Sequence, residues 1–107
     1  MNDRQLEDER AGCDTPEGVV HRVATICNRR GLHARAAARF VKTVERFKAA
    51  EITVVRKDAS VSGLSIMGLM MLAAGPGATL ELRATGDEAA AALDALVKLI
   101  ADKFDED

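Results

Sequence analysis

The chain has 107 residues, 48% of them hydrophobic, and a formal net charge of −2. This length fits a single domain with one modest core. The sequence contains neither Trp nor Tyr, and it has no basic stripe interleaved with aromatic residues, which argues against nucleic-acid binding. No segment has the character of a signal peptide or a membrane span, so we expect a cytoplasmic protein without membrane attachment.

The two cysteines, Cys13 and Cys27, lie apart, and neither belongs to a CxxC motif or a Cys/His cluster. We therefore expect free thiols in a reducing compartment and no metal site. Residues 1–17 are charged and nearly devoid of large apolar side chains, a composition typical of a disordered extension. The predicted organisation is a tail followed by one domain over residues 18–107.

Hydrophobic periodicity predicts the elements in the first half of this domain. A β-branched run predicts a strand over residues 19–27. Apolar residues at three- and four-residue steps then predict a helix over residues 34–48, with its charged residues on the other side. Residues 51–56 and 60–62 are interpreted as the two strands of a hairpin joined by a tight turn.

The second half of the domain begins with an apolar run over residues 63–72 that is too long for one small strand. Ser65 is a plausible N-cap for a short helix within it. Residues 78–84 alternate as a last strand, and Asp87 is a candidate cap for a closing amphipathic helix. The apolar stripe of that helix consists of Leu93, Leu96, Val97, Ile100 and Phe104. The order β-α-β-β-α-β-α predicts an α+β sandwich with helices on one face of a sheet.

His33 stands where a polar, glycine-containing loop turns into an alanine-rich helix. The first turn of a helix carries unpaired amides and the positive end of the helix dipole, which together bind anions. Neutral imidazole is a nucleophile near cellular pH. Backbone amides of Ala34 and Ala36 and the guanidinium of Arg35 would stabilise a phosphoryl group on this ring. A histidine before a helix is more often a cap or surface residue, and His21 in the first strand has no comparable surroundings.

Residues 31–37, Gly-Leu-His-Ala-Arg-Ala-Ala, resemble the phosphorylation motif of HPr, the histidine-containing phosphocarrier of the bacterial phosphoenolpyruvate phosphotransferase system. Residues 64–72 resemble the regulatory-serine segment of the same family. The resemblance covers residues 18–107 and implies the HPr open-faced sandwich, a four-stranded antiparallel sheet covered on one face by three helices. The acidic C-terminal residues 103–107 look more like the nitrogen-related (NPr) branch than the sugar-transport branch.

The resemblance implies that His33 receives phosphate on Nδ1 from phosphorylated enzyme I and passes it to a IIA-type protein. Such a carrier would be a monomer without cofactor, metal or turnover of its own. Arg35 would contact the phosphoryl group, and Ser65 would be the residue that an HPr kinase/phosphorylase modifies in some species. Docking of donor and acceptor would use a shared face formed by Ala36, Arg39, Phe40, Ile66, Met67 and Met70. Many family members carry proline where this chain has Ala36, and alanine lacks the rigidity that proline gives to a first turn.

Other functions remain open at this point. A regulatory binding module, whose phosphorylation state controls contact with a target enzyme, is compatible with the same residues. A small-molecule sensor built on residues 75–77, Gly-Pro-Gly, has less support, because this segment does not join a strand to a helix as a phosphate loop does. Ser65 likewise can be explained by helix capping alone.

Overall fold

The computed structural model describes residues 18–106, so the predicted tail, Cys13 and Asp107 lie outside the described residues. The four strands are β1 Val20–Thr25, β2 Glu51–Arg56, β3 Ala59–Ser62 and β4 Thr79–Thr85. The helices are α1 Ala34–Glu45, α2 Ile66–Met71 and α3 Ala89–Ala101, followed by a short 3-10 turn, Lys103–Asp105. The strands form one antiparallel sheet in the order β1-β4-β2-β3. The predicted α+β open-faced sandwich is confirmed.

One face of the sheet is apolar and supports the helices. Every second residue of the central strand β4 is buried, namely Leu80, Leu82 and Ala84, as the two-residue period of a strand requires. Helix α3 packs on β1 and β4, and α1 contacts α2 and α3. The other face stays open, and Val23 on it is 66% exposed. Across residues 18–106, no helix has the length and apolar character needed to cross a bilayer.

Helix α1 forms because five of its apolar residues recur at helical spacing and are buried against the core: Ala36, Ala37, Phe40, Val41 and Val44. The helix ends at Glu45, three residues before its predicted end. Its last turn tightens, since the Arg46 amide donates to Thr43 O at 3.1 Å and the Phe47 amide donates to Val44 O at 3.0 Å. Such three-residue bonds close a helix, and they let half-buried Phe47 pack against the core.

The predicted bounds of β2 are confirmed, and the bounds of the other three strands differ from the prediction by one or two residues. β1 ends at Thr25, where its pairing with β4 stops opposite Thr79. Ile26 continues with single backbone bonds to the loop, accepting from the Gly77 amide at 2.7 Å and donating to Ala78 O at 2.8 Å. Residues 75–77, the segment considered above as a small-molecule sensor, therefore pack against the end of β1.

Helix α3 begins later than predicted, and the prediction that Asp87 caps it is wrong. Glu88 occupies the N-cap position but makes no side-chain capping bond. Its carboxylate instead accepts the amide of Ala49 at 2.9 Å. The helix also ends at Ala101, so Phe104 is buried as expected but lies beyond the helix, in the 3-10 turn.

Candidate functional site

His33 is the N-cap of α1. Its backbone is extended (φ −81°, ψ −178°), and its ring Nδ1 accepts the amide of Arg35 at 3.3 Å. The His33 carbonyl accepts the Ala37 amide at 2.8 Å, which starts the helix. The imidazole is 20% exposed. A nucleophilic nitrogen is thus held over the first turn of a helix, where amides have no carbonyl acceptor within the helix.

The loop before His33 is tied closely to the rest of the domain. The Leu32 amide donates to Ala74 O at 2.8 Å, and the His33 amide donates to Gly31 O at 3.0 Å. Gly31 has a φ of +68°, and a Cβ placed on it would lie 2.6 Å from Ala74 O. Only glycine combines this φ with so close a backbone approach. Gly31 therefore sets where the histidine stands.

The second ring nitrogen of His33 faces a carboxylate from the far end of the chain. Nε2 lies 2.8 Å from both carboxylate oxygens of Glu106. The Asn28 side-chain amide donates to that carboxylate at 2.7 Å and to Gly31 O at 2.8 Å. The hydrogen bond with His33, and then the one from Asn28, lower the pKa of Glu106 against an opposing effect of burial. Glu106 is therefore a carboxylate at neutral pH.

These contacts favour one tautomer of the ring. Nδ1 faces an N–H donor and Nε2 faces a carboxylate acceptor, which fits the neutral imidazole that carries its proton on Nε2. Sequence reasoning used the acidic C terminus only as a branch feature and did not place Glu106 or Asn28 at the site. No local pattern could have done so, because Glu106 and His33 are 73 residues apart.

The other predicted phosphate-binding residues lie around the same helix start. Arg35 is exposed, so its side chain is accessible to solvent. Ala34 and Ala36 occupy the first turn, and their amides lack acceptors within the helix. Between them, the Arg35 amide donates to Nδ1 of His33.

Ser65 caps α2, as predicted. Its hydroxyl accepts the Gly68 amide at 2.9 Å. The helix that it begins leaves most of its large side chains in solvent, with Met67 70% exposed. We use the term methionine face for the exposed residues of α2, which are Ile66, Met67, Met70 and Met71.

Three α1 residues are predicted at the docking surface, Ala36, Arg39 and Phe40, and the prediction is wrong for Ala36, which is 0% exposed. Phe40 is 0% exposed, so the prediction that it lines this surface is wrong. Its ring lies in the hydrophobic core, where its apolar area is removed from water. Arg39 is half-buried, and its guanidinium donates to the backbone carbonyl of Phe104.

Within residues 18–106, no group of three or more His, Cys, Asp or Glu side chains is arranged to hold a metal ion. Cys27 is an exposed free cysteine whose thiol lies 3.3 Å from Ile100 O.

Comparison with known proteins identifies this arrangement. The family model "PTS HPr component phosphorylation site" matches residues 20–102. Phosphocarrier protein NPr of Shewanella violacea is 46% identical over 87 residues, covering 81% of this chain and 94% of that protein. Phosphocarrier protein HPr of Pseudomonas aeruginosa is 51% identical over 83 residues, covering 77% and 91%. HPr-C-His from Thermoanaerobacter tengcongensis matches with a TM-score of 0.77 at 41% identity, covering 82% and 98% of the two chains. The chain belongs to the HPr family of the phosphotransferase system, whose members carry phosphoryl groups without catalytic turnover of their own.

Proposed function

We propose that His33 is the residue that carries the phosphoryl group, and that Nδ1 is the atom that bonds to phosphorus. The observation that supports this most is the position of Nδ1, over the first turn of α1, with its lone pair facing the Arg35 amide at 3.3 Å. A hydrogen bond this long is weak, so an incoming phosphoryl group can displace it.

In the transfer step, the Nδ1 lone pair attacks phosphorus as the bond between phosphorus and the donor breaks. The electron pair of the broken bond leaves with the donor, and Nε2 keeps its proton. The amides of Ala34, Arg35 and Ala36 then donate to phosphoryl oxygens, and the Arg35 guanidinium adds a charge-assisted contact. Because each such interaction contributes only about 0.3–2 kcal/mol, the group is stabilised without being trapped.

HPr family proteins work with enzyme I and IIA proteins. We propose the same route here, from phosphorylated enzyme I through His33 to a IIA-type acceptor, in a nitrogen-related regulatory system in the cytoplasm. The similarity to an NPr and the acidic C terminus support the nitrogen-related branch. The alternative, a regulatory binding module whose phosphorylation state controls a target enzyme, needs the same modification but no onward transfer.

Incubation with phosphoenolpyruvate and enzyme I tests this proposal. We expect an intact mass increase of one phosphate that is lost in acid and retained in base, as a phosphohistidine requires. Addition of a nitrogen-related or a sugar-type IIA protein then compares the two branches, and faster discharge to the first is the expected result. No mass increase would contradict the carrier role, and a labelled protein that neither acceptor discharges would favour the binding module.

We also propose that a negative charge at Ser65 weakens docking on the adjacent methionine face. Ser65→Asp and Ser65→Asn both keep an oxygen that can cap α2, but only aspartate adds a charge. We expect Ser65→Asp to slow phosphorylation by enzyme I about tenfold, because a charge beside an apolar interface is costly to desolvate. Initial rates measure this, and equal rates for the two variants would contradict it. Whether Ser65 is itself phosphorylated is tested separately, with ATP and cell extract.

A pair of charged variants tests whether enzyme I docks on the methionine face. Met67→Glu and Val23→Glu place the same charge on side chains of similar exposure, 70% and 66%. Only the first alters the proposed docking face, so we expect Met67→Glu alone to lower the enzyme I-dependent rate, by about tenfold. Thermal unfolding should be nearly unchanged in Met67→Glu, whereas Val23→Glu faces Glu81 across β1 and β4 and should lose about 0.2–1 kcal/mol of unfolding free energy. A similar loss in Val23→Glu would show a general charge effect instead.

A further inference from the structure

The C-terminal turn after α3 has an unusual backbone. Lys103, Phe104 and Asp105 have φ values of 59°, 55° and 61°, in the left-handed region that residues with a Cβ seldom adopt. Two contacts hold the turn in place: the Phe104 ring is fully buried, and the Phe104 carbonyl accepts from Arg39. The turn reverses the chain and directs Glu106 back toward the start of α1.

Glu106 is enclosed where it meets His33. Its side chain is 10% exposed, and both carboxylate oxygens lie 2.8 Å from Nε2. Asn28, which holds the same carboxylate, is fully buried and is itself fixed by its bond to Gly31 O. A hydrogen bond to an ionised group is stronger than one between neutral groups.

We propose that Glu106 is a positioning residue for phosphoryl transfer, which keeps the proton of His33 on Nε2 and offsets the positive charge that the ring acquires when Nδ1 bonds to phosphorus. This inference rests on the proposed function of His33. Phosphorylation of Nδ1 uses the lone pair of a neutral ring, and because Nε2 keeps its proton, the product ring is an imidazolium. The Glu106 carboxylate attracts that product more strongly than the neutral starting ring.

The same logic applies wherever a carboxylate orients a nucleophilic or basic histidine. The carboxylate selects the tautomer, aligns the ring and stabilises the imidazolium as it forms. Here Asn28 orients the carboxylate in turn. Glu106 touches neither phosphorus nor the donor, so its whole effect is exerted through His33.

Two variants separate the parts of this role, and a third is their control. Glu106→Gln keeps an oxygen that accepts from Nε2 but removes the charge, whereas Glu106→Ala removes both. Asp105→Asn removes one negative charge at the neighbouring, exposed residue, and asparagine tolerates its left-handed backbone. Phosphoramidate serves as a small phosphoryl donor that needs no docking surface, and enzyme I serves as the protein donor.

With both donors, we expect phosphorylation to slow by about tenfold in Glu106→Gln and by about 10- to 100-fold in Glu106→Ala. Asp105→Asn should stay within about twofold of wild type, as expected for an exposed charge. The imidazole ¹⁵N spectrum of Glu106→Ala should gain the tautomer protonated on Nδ1, which a purely structural role would not produce. Thermal unfolding of each variant establishes that it is folded.

Wild-type rates and unchanged ring nitrogens in folded Glu106→Gln and Glu106→Ala would overturn the inference while leaving the carrier role intact. A rate loss of the same size in Asp105→Asn would also overturn it, because the effect would then be one of net charge. Wild-type protein that takes no phosphate from either donor would overturn the proposed function, and the role of Glu106 with it.

Discussion

His33→Asn is expected to abolish phosphate incorporation from enzyme I while the protein stays folded. Asparagine is a good N-cap, so the start of α1 should be retained although the nucleophilic nitrogen is gone. His33→Ala should also be inactive, and it should lose a further ~0.5–2 kcal/mol of unfolding free energy because the cap is removed. Intact mass after incubation with phosphoenolpyruvate and enzyme I measures the phosphate, and urea unfolding measures the stability.

His21→Ala is the control for these variants. His21 lies on β1, with Nδ1 2.7 Å from a carboxylate oxygen of Glu81, and it is not at a helix start. We expect the His21→Ala variant to incorporate phosphate to the same extent as the wild-type protein. Phosphate on His33→Asn, or loss of labelling in His21→Ala, would contradict the assignment of His33.

Among substitutions that leave His33 itself in place, Gly31→Ala is expected to cause the largest loss of unfolding free energy. Alanine at φ +68° costs roughly 1–2 kcal/mol, and its Cβ would meet Ala74 O at 2.6 Å and Gly75 Cα at 2.8 Å. A clash with backbone adds roughly 1–3 kcal/mol. The loop must move, so phosphorylation of His33 should slow as well.

Gly77→Ala provides the matched comparison, because Gly77 also has a positive φ, +89°, but its added Cβ would meet nothing within 4 Å. We expect it to lose only the roughly 1–2 kcal/mol of a left-handed alanine and to be phosphorylated normally. Urea unfolding and initial phosphorylation rates compare the two. Equal losses of unfolding free energy and of rate in the two variants would show that the close backbone approach at Gly31 does not contribute to the effect.

Local patterns in the sequence predicted much of the fold. The apolar repeat of α1 and the alternation of β4 have the periods of a helix and a strand, so their buried faces could be read directly. The serine that begins α2 was likewise identified as a cap from its place before an apolar run. These features depend on residues only a few positions apart.

Predictions failed where a distant contact competed with a local preference. Asp87 has a good capping side chain, but the helix begins one residue later, and Glu88 there bonds to Ala49 instead. The prediction for Phe40 failed for a different reason: the family resemblance placed it at the surface, although the apolar repeat of α1 puts it on the buried face, where it lies. The left-handed turn at residues 103–105 carries no glycine that would have indicated it.

The sequence by itself determined the element order, the helix start at His33, the capping role of Ser65 and the family to which the chain is similar. Only the tertiary structure decided what the two ring nitrogens of His33 face. Nδ1 meets an amide two residues away, which a motif can encode, whereas Nε2 meets Glu106, 73 residues away. That contact depends on the burial of Phe104 and on the turn that follows it. A periodic pattern indicates which face of an element is apolar, but it does not indicate which distant residue the C-terminal segment contacts.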